Sequence, residues 1–154
     1  PRGEGQVATS AQAAAEDAAA RPSGRPLFVV LNVASGTQSA ATHAAIESAM
    51  REAGRRFEIL PSSAPGGLAA ATRRAVELAS GCGGGVVAAG GDGTLNTVAQ
   101  AALAADLPFG AIALGTFNYF ARAQSLPLDA AEAARAALLP GLRPVQVGLV
   151  NGRV

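Results

Sequence analysis

The chain has 154 residues, with 12 basic against 11 acidic and a formal net charge of +1; 49% of its residues are hydrophobic and only 4% aromatic. That length suits one domain with its own core, and the balanced charge supplies no broad field for nucleic acid. Every basic residue is arginine, so a Walker loop ending in Gly-Lys-Ser/Thr and a protein-kinase site built on a strand lysine are both excluded.

The single cysteine, Cys82, cannot form an intrachain disulfide, and no thiol set exists for zinc. No apolar run approaches the roughly 20 residues that span a bilayer. The first residues lack the charged and then apolar pattern of a signal peptide. A cytoplasmic, reducing setting is the expectation.

Residues 1–24 are mostly Ala, Gly, Gln, Ser and Glu with no large apolar residue beyond Val7, and read as a disordered low-complexity tail. The run Pro26-Leu27-Phe28-Val29-Val30-Leu31 predicts a strand covered on both faces. It runs into Asn32 and a small polar loop ending in Ser35-Gly36-Thr37-Gln38. A helix is expected over 39–53, with Ile46, Ala49, Met50 and Ala53 on one face and Gly54 closing it. His43, the only histidine, falls at the edge of that face as a boundary residue. Phe57-Glu58-Ile59-Leu60 predicts a second strand. The loop after it carries Ser62 and Ser63. The next helix has Leu68, Ala71, Ala75, Leu78 and Ala79 on its buried face.

Val86-Val87-Ala88-Ala89 predicts a third, buried strand, followed by Gly90-Gly91-Asp92-Gly93 as a tight turn. Thr94 is expected to open an alanine-rich helix reaching 105. A glycine turn between a strand and a helix N-terminus gathers backbone N–H groups at the positive end of the helix dipole, which suits a phosphate. Glycine is expected there because positive φ is cheap for it and because no Cβ blocks a ligand. Residues 109–114 predict a fourth strand, ending in Gly115-Thr116-Phe117-Asn118. A short helix over 117–124 follows, then a helix capped by Asp129 and ended by Pro140-Gly141.

The last segment differs in kind. Residues 145–150 alternate like a half-exposed antiparallel strand, and Asn151-Gly152 is a strong hairpin signal. The expected division is therefore a tail (1–24), a nucleotide-binding α/β domain (25–142) and the start of a truncated β-rich domain (143–154).

The strand–helix alternation implies a three-layer αβα, Rossmann-like parallel sheet. Ligands bind such sheets beyond the carboxyl ends of the strands, where strand order reverses. Loops 32–37, 90–94 and 115–118 would adjoin if the order were 2-1-3-4. Each loop also has a plain structural reading: Asp92 in an Asx-turn with Thr94 as N-cap, Asn32 and Ser35 capping a turn, Asn118 satisfying the end of the fourth strand. A dinucleotide fingerprint fits poorly, because it belongs on the first strand and needs an acidic residue after the second.

Gly90-Gly91-Asp92-Gly93-Thr94-Leu95-Asn96 resembles the signature shared by diacylglycerol kinases, sphingosine kinases, NAD kinases and phosphofructokinases. Asn32-Val33-Ala34-Ser35-Gly36 resembles the Asn-Pro-x-Ser-Gly element of the lipid-kinase branch. Leu114-Gly115-Thr116-Phe117-Asn118-Tyr119-Phe120-Ala121-Arg122 resembles its Leu-Gly-Thr-x-Asn-Asp-Phe-Ala-Arg element. Order and spacing agree over about residues 26–154. NAD kinases share the first element but would not be expected to carry the third. Val33 stands where proline is usual, Tyr119 where aspartate is, and Thr97 where glutamate is common.

The resemblance implies the N-terminal, nucleotide-binding domain of a two-domain kinase that transfers the γ-phosphoryl group of ATP to a lipid hydroxyl. Gly90, Gly91 and Gly93 would let backbone amides approach the phosphates, and Thr94 would add a hydroxyl. Asp92 would hold Mg²⁺, directly or through water, or orient the acceptor. Asn32, Ser35, Gly36, Thr37 and Ser62 would close one side of the site; Gly115, Thr116 and Asn118 the other, with Asn96 on the following helix. The implied partners are ATP and a lipid, with peripheral contact at the inner face of the membrane, no nucleic acid, and room for a homodimer. The alternatives are a non-catalytic nucleotide- or lipid-binding module and an NAD kinase-like enzyme.

Overall fold

The computed structural model describes residues 24–32, 37–62, 65–139, 142–146 and 148, with the backbone alone for Thr37 and Gln38. Four strands form one parallel sheet: β1 (Leu27–Leu31), β2 (Phe57–Pro61), β3 (Gly85–Gly90) and β4 (Phe109–Ala113). Their order is β2-β1-β3-β4, as the loop chemistry predicts. Five helices accompany them among the described residues: α1 (Thr37–Glu52), α2 (Gly67–Cys82), α3 (Asp92–Ala104), α4 (Tyr119–Ala123) and α5 (Ala130–Ala137).

Strand periodicity divides the core into two slabs. Leu27, Val29, Leu31, Val87, Ala89 and Ile112 face α1 and α5, meeting Ile46, Ala49, Met50, Ala133 and Ala134. The alternate residues Phe28, Val30, Val86, Ala88, Ala111 and Ala113 face α2, α3 and α4, meeting Ala71, Ala75, Ala79, Leu95, Val98 and Ala121. The two inner strands, β1 and β3, are buried at every residue, which explains their unbroken apolar sequence. β2, an edge strand, is half-buried at Phe57, Ile59 and Leu60 and exposed at Glu58 and Pro61. Alanine supplies most of the helix contacts, so the helices lie close on the sheet and small volume changes are felt.

Local signals set the helix ends. Gly54, at φ 60°, follows the end of α1, and helix α1 stops at Glu52, leaving Ala53 exposed rather than on the buried face. Asp129 caps α5, its carboxylate accepting the amide of Glu132 at 2.9 Å. Cys82 is the last residue of α2 and is exposed, its thiol donating to the Leu78 carbonyl at 3.1 Å. Helix α4 is shorter than the expected 117–124, beginning after Asn118. Val145, Gln146 and Gly148 carry no strand. The rest of the expected hairpin, and the low-complexity stretch over 1–23, lie outside the described residues.

No described helix is long and apolar enough to cross a membrane.

Ile112 is fully buried and bulky in a core made largely of alanine and valine. Ile112→Ala is expected to cost about 2–5 kcal/mol. By contrast Leu103→Ala, at a 55% exposed position, should stay within about 0.5 kcal/mol. Urea titration of the two variants checks this; equal midpoints would contradict the assigned core.

Candidate functional site

The chain passes from β1 outward to β2 and then returns across β1 to β3. Strand order therefore reverses between β1 and β3. The α1 crossover lies on one face and the α3 helix on the other. A crevice is expected at such a point, beyond the carboxyl ends of the strands. Asn32 leaves β1 there, and its side-chain Nδ2 donates to Thr94 Oγ1 at 2.8 Å. Two residues 62 positions apart, both singled out from sequence, are thus bonded across the switch point.

β3 enters α3 more directly than expected. The helix begins at Asp92, with Gly91 as its N-cap in extended geometry (φ −76°, ψ 176°). Thr94 is therefore not the cap. It lies in the first turn, buried, and its amide and that of Leu95 both donate to the Gly91 carbonyl. Asp92 and Gly93 keep the backbone N–H groups that no helical carbonyl can reach. These amides point out of the N-terminus of a 13-residue helix, whose dipole favours an anion.

The reason for glycine also differs from expectation. Gly90, Gly91 and Gly93 are not among the positive-φ residues. At Gly90, and at Gly115 on the facing loop, what glycine provides is close approach. A Cβ at position 90 would lie 2.7 Å from the Thr94 side chain, and one at position 115 would lie 2.8 Å from Gly91 Cα. The ends of β3 and β4 thus meet backbone to backbone. Absence of a side chain at Gly93 leaves open space, with nothing within 4 Å of where a Cβ would stand.

The loop after β4 is folded onto this junction. Asn118 is buried in the left-handed conformation (φ 54°, ψ 46°), which asparagine tolerates better than most residues. Its Oδ1 accepts the Gly115 amide at 2.9 Å, so it does satisfy the end of the fourth strand. The Phe120 amide donates to Asp92 Oδ1 at 3.4 Å, tying α4 to the first residue of α3. Asp92 is half-buried.

The remaining sequence candidates are placed less uniformly. Ser62 is buried and its hydroxyl donates to the Leu31 carbonyl at 3.3 Å, beside Asn32 but turned onto the backbone. Thr116 and Asn96 are exposed, Thr116 between Gly115 and Asn118 and Asn96 on the outer side of α3. Thr37 is the first residue of α1. Ser35 and Gly36 lie outside the described residues, as does Ser63. His43 is elsewhere, lining a cavity of about 470 Å³ with Glu47, Arg51, Phe57 and Ile59 beside the β2 edge. Sequence reasoning missed the Phe120 amide as a partner of Asp92, since nothing in the pattern marks a backbone donor 28 residues away.

The close approach gives a direct test. Gly115→Ala should cost about 1–3 kcal/mol, because the clash is with backbone that cannot rotate away. Gly93→Ala should be neutral or stabilise by up to about 1 kcal/mol, since it adds helix propensity in open space. Thermal melting of both variants distinguishes them, and equal destabilisation would refute the packing described.

Residues 26–150 match the family model described as the diacylglycerol kinase catalytic domain. Over 71 residues the chain is 45% identical to a Pseudomonas aeruginosa (strain UCBPP-PA14) protein named "Probable lipid kinase YegS-like", covering 45% of this chain and 23% of that one. It is 39% identical over 71 residues to a Bacillus subtilis (strain 168) diacylglycerol kinase, covering 44% and 23%. The matched stretch thus spans less than a quarter of the length of these curated relatives. The fold superposes on a crystal structure of a diacylglycerol kinase from Bacillus anthracis str. Sterne with a TM-score of 0.59 at 26% identity, over 72% of this chain and 41% of the other. With its family match over nearly all of the α/β unit and the same sheet beneath it, the chain belongs to the diacylglycerol kinase catalytic-domain family, a family of lipid kinases.

Proposed function

We infer that the chain is the nucleotide-binding half of a lipid kinase that transfers the γ-phosphoryl group of ATP to a lipid hydroxyl. The observation that carries this reading is the α3 N-terminus. Two backbone amides and the Asp92 carboxylate converge there, walled by the Asn32–Thr94 bond on one side and by Gly115 on the other. Family membership supports the choice of a lipid as acceptor.

The residues fit ATP and Mg²⁺. Magnesium in kinase sites is commonly held by one or two carboxylates together with substrate phosphates. Among the described residues no three His, Cys, Asp or Glu side chains cluster into a ready-made metal cage, so Asp92 would act as such a single protein carboxylate. When bound, MgATP supplies the transferable phosphoryl group and neutralises charge on its oxygens. The protein's part is positioning and electrostatics. The Asp92 and Gly93 amides would hold phosphate oxygens. Gly91 and Gly115 would admit them without side-chain obstruction. The Asn32–Thr94 bond fixes the Thr94 hydroxyl at the floor of the crevice.

The lipid oxygen would bond to phosphorus as the bridging oxygen leaves with ADP. Its proton needs a base. Asp92 is the only acidic residue in loops 32–37, 90–96 and 115–118, and a carboxylate neutralised by a cation is a poor base. The base is therefore assigned to the part of the longer relatives that this chain does not match. The full-length protein would meet its lipid at the cytoplasmic face of a membrane.

Asp92→Asn in the full-length protein should lower turnover by at least about 100-fold, the scale of losing one key electrostatic group. Its melting temperature should move by only a few degrees, because the amide oxygen can still accept from Phe120. Unchanged turnover would remove Asp92 from the mechanism. Residues 1–154 alone should bind ATP weakly and transfer little phosphate to diacylglycerol; robust transfer would overturn the division of labour. Replacing the lipid by NAD in the full-length assay should give no product, and phosphorylation of NAD would favour an NAD kinase instead.

A further inference from the structure

The loop after β4 exposes two aromatic rings that a folded chain would ordinarily cover. Phe117 and Tyr119 are 63% and 68% exposed, in a chain with only 4% aromatic residues. Their rings are stacked, 8° from parallel with centroids 5.6 Å apart. The backbone imposes this. Asn118 sits between them in the left-handed conformation with its carboxamide drawn inward onto Gly115, which leaves both neighbours outside.

Positive charge accompanies the pair. Arg122 Nε donates to the Phe117 carbonyl at 2.9 Å, and Arg143 Nη2 to the Gln124 carbonyl at 3.4 Å. The ion pairs among the described residues join Arg51 to Glu47, Arg74 to Glu77 and Arg135 to Glu52, so neither Arg122 nor Arg143 meets a carboxylate there. From 107 to 128 the sequence holds no acidic residue, and Arg122 is its one charge. The unit adjoins the candidate site through the Phe120–Asp92 bond.

Exposed aromatics beside arginines that meet no carboxylate among the described residues match the chemistry of a bilayer interface. Rings, tyrosine above all, settle at the boundary between headgroups and acyl chains, and guanidinium groups pair with anionic headgroups. We propose that Phe117, Tyr119 and Arg122 form a membrane-contact element that seats the β4 side of the site on an anionic lipid surface. This rests on the lipid-kinase reading, which places the acceptor in a bilayer, and adds the surface by which the α/β unit reaches it. Two rings and one or two arginines make a weak, reversible contact.

The chain has no tryptophan, so Phe117→Trp installs a single reporter on the element while keeping an aromatic there. With vesicles of phosphatidylcholine and phosphatidylglycerol, its emission should shift to the blue and be quenched by acyl-brominated lipid. Vesicle co-sedimentation of the chain carrying Phe117→Ser and Tyr119→Ser should fall about tenfold or more relative to the unaltered chain. Arg122→Gln should weaken sedimentation with anionic vesicles and leave it unchanged with phosphatidylcholine alone. Emission unmoved by vesicles, or equal sedimentation of the double variant, would overturn the proposal. So would an emission shift produced by raising chain concentration alone, which would make a second copy the occupant, or undiminished vesicle sedimentation of the full-length protein carrying the same two substitutions, which would make the rest of that protein the occupant. Vesicle contact is read without turnover, so its failure leaves phosphoryl transfer by the full-length protein standing, and failure of that transfer is seen separately in the lipid and NAD assays.

Discussion

The ends of β3 and β4 approach so closely that the β4 side cannot carry a side chain at the point of contact. A Cβ on Gly115 would stand 2.8 Å from Gly91 Cα, well inside van der Waals contact. That approach places the β4 loop against the N-terminus of α3. The loop then fastens itself, with Asn118 on the Gly115 amide and the Phe120 amide on Asp92. On the other flank, Asn32 reaches Thr94 across the reversal of strand order. Three strand ends are thereby joined through short polar contacts around one helix terminus. Rigid strands hold these contacts in register, and such support is what a positioning site requires.

Beneath the site lies a core of small side chains. Alanine on α2, α3 and α5 lets the helices lie low on the sheet, and the alternating strand residues divide cleanly between the two faces. Little volume is available to absorb error. A core of this kind gains its stability from closeness of fit more than from large buried side chains. The edge strand β2 is the least enclosed part of the sheet, and a cavity of about 470 Å³ opens beside it.

Much of this was legible in the sequence, and particular residues show why. Fully buried strands write themselves as unbroken apolar runs, so β1 and β3 could be read directly. The strand order followed from which loops held oxygens and glycines. The β3–α3 junction was harder. Glycine-rich sequence suggests a turn with positive φ, whereas the chain runs from extended strand into helix at Gly91, and close approach is what calls for glycine at 90 and 115. Glycine has both uses, and one sequence does not say which applies. For the same reason Thr94 looked like a cap and proved to be a buried partner of Asn32. The Phe120–Asp92 contact had no signal at all, because any residue has a backbone amide. Ser62 shows the converse: its hydroxyl is in the right neighbourhood, yet it is engaged by the Leu31 carbonyl.

Cys82 ends α2, and the chain then turns through Gly83 into the amino end of β3. A β-strand rises about 3.3 Å per residue, so the six residues of β3 put that thiol on the order of 20 Å from the α3 N-terminus, at the opposite end of the sheet. It is exposed, and it is the only sulfhydryl in the sequence. Maleimide chemistry would therefore attach a dye or a surface tether at one defined point, with the loops at the carboxyl ends of the strands left free and oriented away from the support.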